Sequence, residues 1–248
     1  MGVFVISPYD KGGRLYAPSK TLRGLTLPDL EPIQYGPLWL MSHEYLDEKN
    51  APIHTMTIGA ARPSDLDEPF VTAYLFAKRK EEMLVKVQNV ARRLHERELE
   101  VLGEDWVRDW HKGLRNCSTE DDAYQFGQIV WCYNLIKAFG MLDYAKDRYA
   151  NFDKSYESWD FKLSNNENVM KSRYGWGYVP GIATPSDKGV DYASLLPEVP
   201  KNQIEKVLEA IRFVHSYCSK NSTANLTTPE GWETAYDMRP WTAFPERG

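Results

Sequence analysis

Cysteine is scarce in this chain of 248 residues, which contains only Cys117, Cys132 and Cys218. An odd number of cysteines at such wide spacing does not make a disulfide framework. No Cys-x-x-Cys pair occurs, which argues against a zinc ribbon. Because free thiols in a reducing compartment are the simplest interpretation, we expect a cytoplasmic protein.

Long apolar runs and an excess of positive charge are also missing. No window approaches the ~18 consecutive apolar residues that are typical of a membrane span. The apolar N-terminus is short and lacks the basic flank of a signal peptide. The formal net charge is −5, whereas phosphate backbones are bound by clustered positive charge. We therefore expect neither a membrane nor a nucleic acid as a partner.

The chain does have enough apolar sequence for a packed core, with 42% hydrophobic and 13% aromatic residues. Residues 2–7 form a continuous apolar run, which predicts a strand buried on both faces. Residues 53–58 predict a second strand, and Pro63 suits the first turn of the helix that follows. Strands followed by helices indicate a parallel α/β arrangement.

The pattern becomes helical after about residue 78. Apolar residues recur at helical spacing, as at Leu84, Val87, Ala91 and Leu94. Helices are predicted at 79–102, 104–112, 122–140, 141–152 and 201–219, and residues 153–200 mostly as loop. We therefore divide the chain into an α/β part at 1–77, a helical domain at 78–220 and an irregular tail at 221–248.

The chemistry-bearing segments follow the two predicted strands. Ser7 to Leu15 places glycines and the cations Lys11 and Arg14 just beyond the first strand, at the edge where α/β folds hold their ligands. Gly59 to Pro63 places Arg62 at the start of a helix, whose free N–H groups favour an anion. The alternative is an ordinary polar loop in the first case and a glycine turn with a surface arginine in the second.

Two phrases carry a resemblance to a known family. Ile-Ser-Pro-Tyr-Asp-Lys-Gly-Gly-Arg-Leu-Tyr, at 6–16, is similar to the seventh strand and loop of aldo/keto reductases. Ile-His-Thr-Met-Thr-Ile-Gly-Ala-Ala-Arg-Pro-Ser-Asp-Leu-Asp, at 53–67, is similar to their eighth strand and following helix. Residues 128–149 resemble the helical C-terminal region that a bacterial subfamily adds, often with a ferredoxin-like cluster motif.

This resemblance implies the last two βα units of an NADP(H)-dependent (β/α)8 TIM barrel oxidoreductase, followed by a mostly α-helical C-terminal domain. The implied pyrophosphate side is Ser7, Pro8, Tyr9, Lys11, Gly12 and Leu15. The implied adenosine end is Gly59, Ala60, Ala61, Arg62, Asp65 and Glu68. The sequence departs from the family at Tyr9, where Leu is common, and at Asp65, where Gln is frequent.

The family's catalytic Asp, Tyr, Lys and His come from strands that have no counterpart here, so no catalytic residue is assigned. The expected function is the C-terminal part of an aldo/keto reductase, inactive alone and acting on a small-molecule carbonyl substrate if complete. A separate N-terminal half would be its partner, unless the chain is a gene fragment. The alternative is a non-catalytic helical binding or interaction module that keeps a residual barrel stub.

Metal and cluster chemistry is not expected. An iron–sulfur cluster needs about four thiolates, and the chain has three cysteines. His43 and His54 are not spaced as metal ligands. Four tryptophans suggest helix packing more than an aromatic ligand platform, because Trp mostly supplies buried area; they are Trp106, Trp110, Trp131 and Trp159.

Overall fold

The structure is a computed structural model that describes residues 2–9, 14–47, 49, 51–60, 63–114, 126–150, 193–219 and 226–237. The two strands among these residues are β1 (Val3–Ile6) and β2 (Ile53–Thr57). The α-helices are α1 (Lys20–Thr26), α2 (Pro32–Leu46), α3 (Asp67–Lys78), α4 (Lys80–Leu102), α5 (Glu104–Asp109), α6 (Phe126–Phe139), α7 (Leu142–Ala150) and α8 (Ile204–Cys218). Short 3₁₀ turns occupy Pro63–Leu66 and Ala193–Leu195.

The two strands pair in parallel, which confirms the arrangement predicted from the sequence. Ile6 lies opposite Thr57, and an irregularity of the register follows Val3. Parallel neighbours require a long crossover. Here α1 and α2 lie in that crossover, between β1 and β2 in the chain.

The prediction that the first strand is buried on both faces is wrong for the described residues. Phe4 is 68% exposed and Ile6 is 69% exposed. A parallel strand is normally covered by further strands and by helices on both faces. The described residues supply one neighbouring strand only, so these apolar side chains remain in contact with solvent.

The chain forms two compact units. The first consists of residues 1–97, 139–141 and 230–248, and the second of residues 98–138 and 142–229. The boundary predicted at 77/78 falls in the last turn of α3, whereas the units divide within α4. The difference has a physical cause, because Met83, Val87 and Val90 on the first half of α4 pack with Leu30 and Leu38.

Local sequence explains how α1 and α2 begin. The Ser19 hydroxyl accepts a hydrogen bond of 3.0 Å from the Leu22 amide, as an N-cap residue does. Glu31 and Gln34 form a reciprocal capping box at α2, where Pro32 occupies the first turn. These caps place Glu31 and Gln34 at the start of α2 with their side chains folded back onto the backbone.

The tail segment 230–237, which we call the strap, belongs to the first unit. Thr234 forms an antiparallel bridge with Ser19, and the Lys20 amide donates to the Glu233 carbonyl at 2.9 Å. The Thr21 amide and hydroxyl both donate to the Gly231 carbonyl, at 2.8 and 2.9 Å. The strap itself contains no helix or strand. These hydrogen bonds nevertheless hold it against the N-terminal end of α1.

The second unit is helical, as predicted. Its core includes the apolar stripe predicted for α6, with Ile129, Val130 and Ile136 fully buried. Trp106 is also buried, and its indole N–H donates to the Asn134 side chain at 2.7 Å. Trp106 therefore supplies packing, as the sequence indicated. Residues 153–192 of the loop predicted at 153–200, which include Trp159, lie outside the described residues.

Candidate functional site

Parallel pairing brings the two predicted ligand-binding segments to the same edge of the sheet. The Ser7 amide, just beyond β1, donates to the Thr57 carbonyl at the end of β2 at 3.0 Å. Residues that follow β1 and β2 therefore emerge side by side, as the carboxyl ends of parallel strands do. Gly59 and Ala60 follow Thr57 and are exposed.

The loop after β1 begins and ends on unusual backbone. Ser7 has a φ of 53° and Arg14 a φ of 52°, in the left-handed region that non-glycine residues rarely adopt. The Leu15 amide donates to the Tyr9 carbonyl at 2.8 Å, which ties the two ends of the loop together. Such conformations cost energy and persist where the surroundings hold them.

Three residues assigned to the pyrophosphate side lie in the interior. Pro8, Tyr9 and Leu15 are buried. A Cβ added at Gly36 of α2 would overlap the Leu15 side chain, so Leu15 packs against that helix. Burial means that these three side chains anchor the loop, which leaves the half-buried Ser7 as the polar side chain among the described residues of that group.

The end of β2 is exposed in the part of the chain that the structure describes. There, a Cβ added at Gly59 would meet no atom within 4 Å. An open, exposed backbone of this kind allows a ligand to approach closely. Lys11, Gly12, Ala61 and Arg62 lie outside the described residues.

Glu68 links the two segments. It lies half-buried in the first turn of α3, and the Gln34 side chain donates to its Oε2 at 3.3 Å. Burial raises the pKa of the Tyr9 phenol, and the negative charge of Glu68 raises it further. Tyr9 and Glu68, predicted for opposite ends of the ligand, are therefore within electrostatic reach of each other. Asp65 is half-buried in the 3₁₀ turn that precedes α3.

Sequence reasoning missed the residues that connect with Glu68 through Gln34 and Glu31. Glu31 accepts two hydrogen bonds from Arg23, at 2.8 and 3.0 Å, and one from the Tyr236 hydroxyl at 3.3 Å. The Arg23 guanidinium also lies 5.5 Å from the centre of the Tyr236 ring. The sequence Glu-Pro-x-Gln at 31–34 is a local signal for the first turn of α2 that the sequence analysis did not use, and no local pattern connects Tyr236 with residue 31.

Groups able to hold a metal ion are not found among the described residues, where no three His, Cys, Asp or Glu side chains cluster. His54 accepts a hydrogen bond of 3.2 Å from the Val3 amide, and His43 lies 5.0 Å from Trp39 between ring centres. Cys132 and Cys218 are buried thiols of the second unit, and burial raises the pKa of Cys132 to about 12. Cys117 lies outside the described residues.

None of the helices that the structure describes is both long and apolar enough to cross a bilayer.

No protein-family model, no curated protein and no solved structure matches the chain.

Proposed function

We propose that the chain is the C-terminal part of an NADP(H)-dependent aldo/keto reductase, and that the edge formed by the ends of β1 and β2 binds the dinucleotide. The observation that carries this proposal is the hydrogen bond between the Ser7 amide and the Thr57 carbonyl. It places side by side the two segments whose sequences resemble the family's cofactor-binding loops.

The described residues fit the adenosine end of a dinucleotide. Glu68 forms no ion pair among them, so its carboxylate keeps acceptor capacity for amino and hydroxyl donors of a ligand. The backbone at Gly59 and Ala60 is exposed, which allows a ligand to approach it closely. Phosphate groups need positive charge, for which the sequence offers Lys11 and Arg62.

The bound nicotinamide would supply a hydride to a carbonyl carbon, and this chain's part is to hold and orient the nucleotide. Ser7 would donate from its hydroxyl, while Pro8, Tyr9 and Leu15 fix the loop that carries it. The proton donor and its neighbours would come from the strands that the sequence does not contain. We therefore propose that the chain alone does not catalyse carbonyl reduction.

The exposed strands support a role as part of a larger sheet. Two strands cannot close a barrel, which needs eight. Phe4 and Ile6 are two residues apart on β1, on one face of the sheet, and both are more than two-thirds exposed. Six further βα units, from another chain or from elsewhere in a longer protein, would cover this face and both open edges.

Nucleotide binding is the direct test. We expect NADPH to bind the purified 248-residue chain, NADH to bind more weakly, and Lys11→Ala and Arg62→Ala each to weaken NADPH binding by about tenfold, since one charge-assisted contact contributes roughly 1.5 kcal/mol. Arg92→Ala is the matched control, because Arg92 is an exposed arginine of the same unit that pairs with Glu96 on α4.

Two outcomes would contradict the proposal. If NADPH does not bind, or if it binds equally well to the Lys11→Ala, Arg62→Ala and Arg92→Ala variants, the nucleotide site is not at this edge. Stoichiometric oxidation of NADPH by an aldehyde in the presence of the chain alone would overturn its proposed inactivity.

The second candidate function is a non-catalytic interaction module. It is favoured by α3, whose Phe70, Val71 and Tyr74 are 70%, 47% and 63% exposed and lie away from the strand ends in sequence. Exposed apolar patches of this kind commonly mark protein interfaces. Under this alternative, Phe70→Ser and Tyr74→Ser would abolish association with a partner while NADPH has no effect on the chain.

A further inference from the structure

The strap reaches Glu68 through a chain of hydrogen bonds within the first unit. The Tyr236 hydroxyl donates to Glu31 Oε2 at 3.3 Å. The Glu31 backbone N–H donates to the Gln34 side-chain oxygen at 3.4 Å. The Gln34 side-chain nitrogen then donates to Glu68 Oε2 at 3.3 Å. Two capping residues of α2 thus connect the strap with the first turn of α3.

The orientation of Gln34 is the central link in this chain. Its amide has an oxygen that accepts and a nitrogen that donates. Because the oxygen is engaged by the Glu31 backbone, the nitrogen is left facing Glu68. Glu31 is fixed in turn by the two-pronged pair with Arg23 and by Tyr236. A change at Tyr236 is therefore expected to alter how firmly Glu68 is held.

Electrostatics agrees with this geometry. Burial raises the pKa of the Tyr236 phenol, and the charges of Glu31 and Glu68 raise it further, against an opposing effect of Arg23. Tyr236 is thus within reach of the Glu68 charge as well as bonded to Glu31. At neutral pH the protonated phenol is the form that can donate to a carboxylate.

We propose that Tyr236 is a positioning residue for nucleotide binding, and that docking of the strap and binding of the nucleotide at Glu68 favour each other. This inference rests on the proposed function, because it assigns Glu68 to the nucleotide. The coupling is reciprocal, since a ligand that prefers the strapped form must also stabilise the strap. A segment remote in sequence thereby controls the affinity of the strand-end site.

The first experiment measures affinity. We expect Tyr236→Phe, which keeps the ring and removes the hydroxyl, to raise the Kd for NADPH by about 3- to 10-fold, the range of a coupling of roughly 1 kcal/mol. Glu68→Gln should raise it at least as much. Tyr45→Phe is the matched control, because Tyr45 is an exposed tyrosine of α2 in the same unit. Its affinity should equal that of the unchanged chain.

The second experiment measures the strap itself. Saturating NADPH should slow amide hydrogen exchange of residues 230–237 by at least the factor that Tyr236→Phe costs in affinity. By linkage, the effect of the nucleotide on strap docking equals the effect of the docked strap on affinity, and the substitution removes at most that much. This protection should be reduced in Tyr236→Phe. Circular dichroism and thermal unfolding of both variants report whether the fold is retained, and hydrogen exchange in α4 supplies an internal reference.

The outcomes separate this inference from the proposed function. If NADPH binds the unchanged chain but Tyr236→Phe binds it equally well and NADPH does not protect the strap, the inference is wrong and the nucleotide site stands. If NADPH does not bind the unchanged chain at all, the proposed function fails and the inference fails with it.

Discussion

Arg93, in the middle of α4, donates to the Asp29 carboxylate at 2.7 Å, and the same guanidinium donates to the carbonyls of Leu25 and Thr26 at 2.7 and 3.0 Å. It therefore neutralises an acid and satisfies two carbonyls at the end of α1. The pair is mostly shielded from solvent, with side-chain exposures of 25% and 20%. This contact is one reason why the first unit extends into α4.

Arg93→Ala should lower the free energy of unfolding by about 2 to 3 kcal/mol, because it removes charge-assisted hydrogen bonds and leaves Asp29 without its partner. The free energy of unfolding of Arg93→Lys should lie between those of the unchanged chain and Arg93→Ala. An ammonium group cannot bond all three acceptors at once as a planar guanidinium does. Chemical denaturation followed by circular dichroism measures the change.

Arg92→Ala is the control for that prediction. Arg92 is the adjacent residue, and its exposed pair with Glu96 contributes about 0.5 kcal/mol at most. Equal destabilisation by the two alanine variants would show that the Arg93 contacts contribute no more than a surface ion pair.

We expect the substitution of Ala for Gly to cost more stability at Gly113 than at Gly103. Both have positive φ, 72° and 86°, so Ala is strained at either position. A Cβ on Gly113 would also overlap the backbone carbonyl of Glu198, whereas one on Gly103 would meet no atom within 4 Å. Gly113→Ala should therefore cost about 2 kcal/mol more than Gly103→Ala, the size of a typical overpacking penalty.

Thermal unfolding of the two glycine variants, with hydrogen exchange in α8 as a report on the second unit, is the measurement. A Gly113→Ala variant that is no less stable than Gly103→Ala would mean that Glu198 and its neighbours move away without cost.

We expect that replacing Thr72 stabilises the protein. Its side chain on α3 is fully buried, and its hydroxyl has no hydrogen-bond partner among the described residues. Thr72→Val keeps the shape and removes the unsatisfied group, so it should raise the free energy of unfolding by about 1 kcal/mol. Urea denaturation at neutral pH measures the gain.

Thr26→Val is the matched comparison. Thr26 is also fully buried, but its hydroxyl donates to the Arg23 carbonyl at 3.2 Å. Losing that bond should reduce stability by about 1 kcal/mol. The prediction for Thr72 is refuted if both substitutions shift the midpoint in the same direction by similar amounts.

We expect the burial of Tyr35 to make the stability of the fold decrease at alkaline pH. Burial raises its pKa to about 12 in the folded protein, whereas a tyrosine in an unfolded chain ionises near ~10. The folded state therefore binds more protons above pH 10, and this part of the stability is present below pH 10 and lost as the pH rises towards 12. The loss approaches roughly 2 to 3 kcal/mol, at about 1.4 kcal/mol per unit of pKa difference.

Tyr35→Phe should be nearly neutral at pH 7 and should flatten the fall in stability between pH 10 and 12. Tyr74→Phe, at an exposed position, should leave that fall unchanged. Denaturant midpoints at several alkaline pH values test the difference, and parallel curves for the unchanged chain and Tyr35→Phe would contradict it.

The candidate site was partly predictable from the sequence, because each of its two halves is a short continuous segment of the chain. Each consists of a strand and the turn after it, and the glycines, prolines and charges of those turns are visible as short phrases. Their meeting was also predictable, since strands followed by helices pair in parallel. The role of Leu15 as a buried anchor was not, because Leu15 packs against Gly36 of α2, which lies elsewhere in the chain.

The sequence by itself determined the elements: two short apolar strands, capped or proline-initiated helices, and the apolar stripes of α6 and α8, all set by periodicity and local hydrogen bonding. Tertiary structure decided what those elements contact. The exposure of Phe4 and Ile6, the inclusion of α4's first half in the first unit, and the link from Tyr236 to Glu68 depend on pairings between distant segments. Periodicity shows which face of an element is apolar, but it does not show which distant segment covers that face.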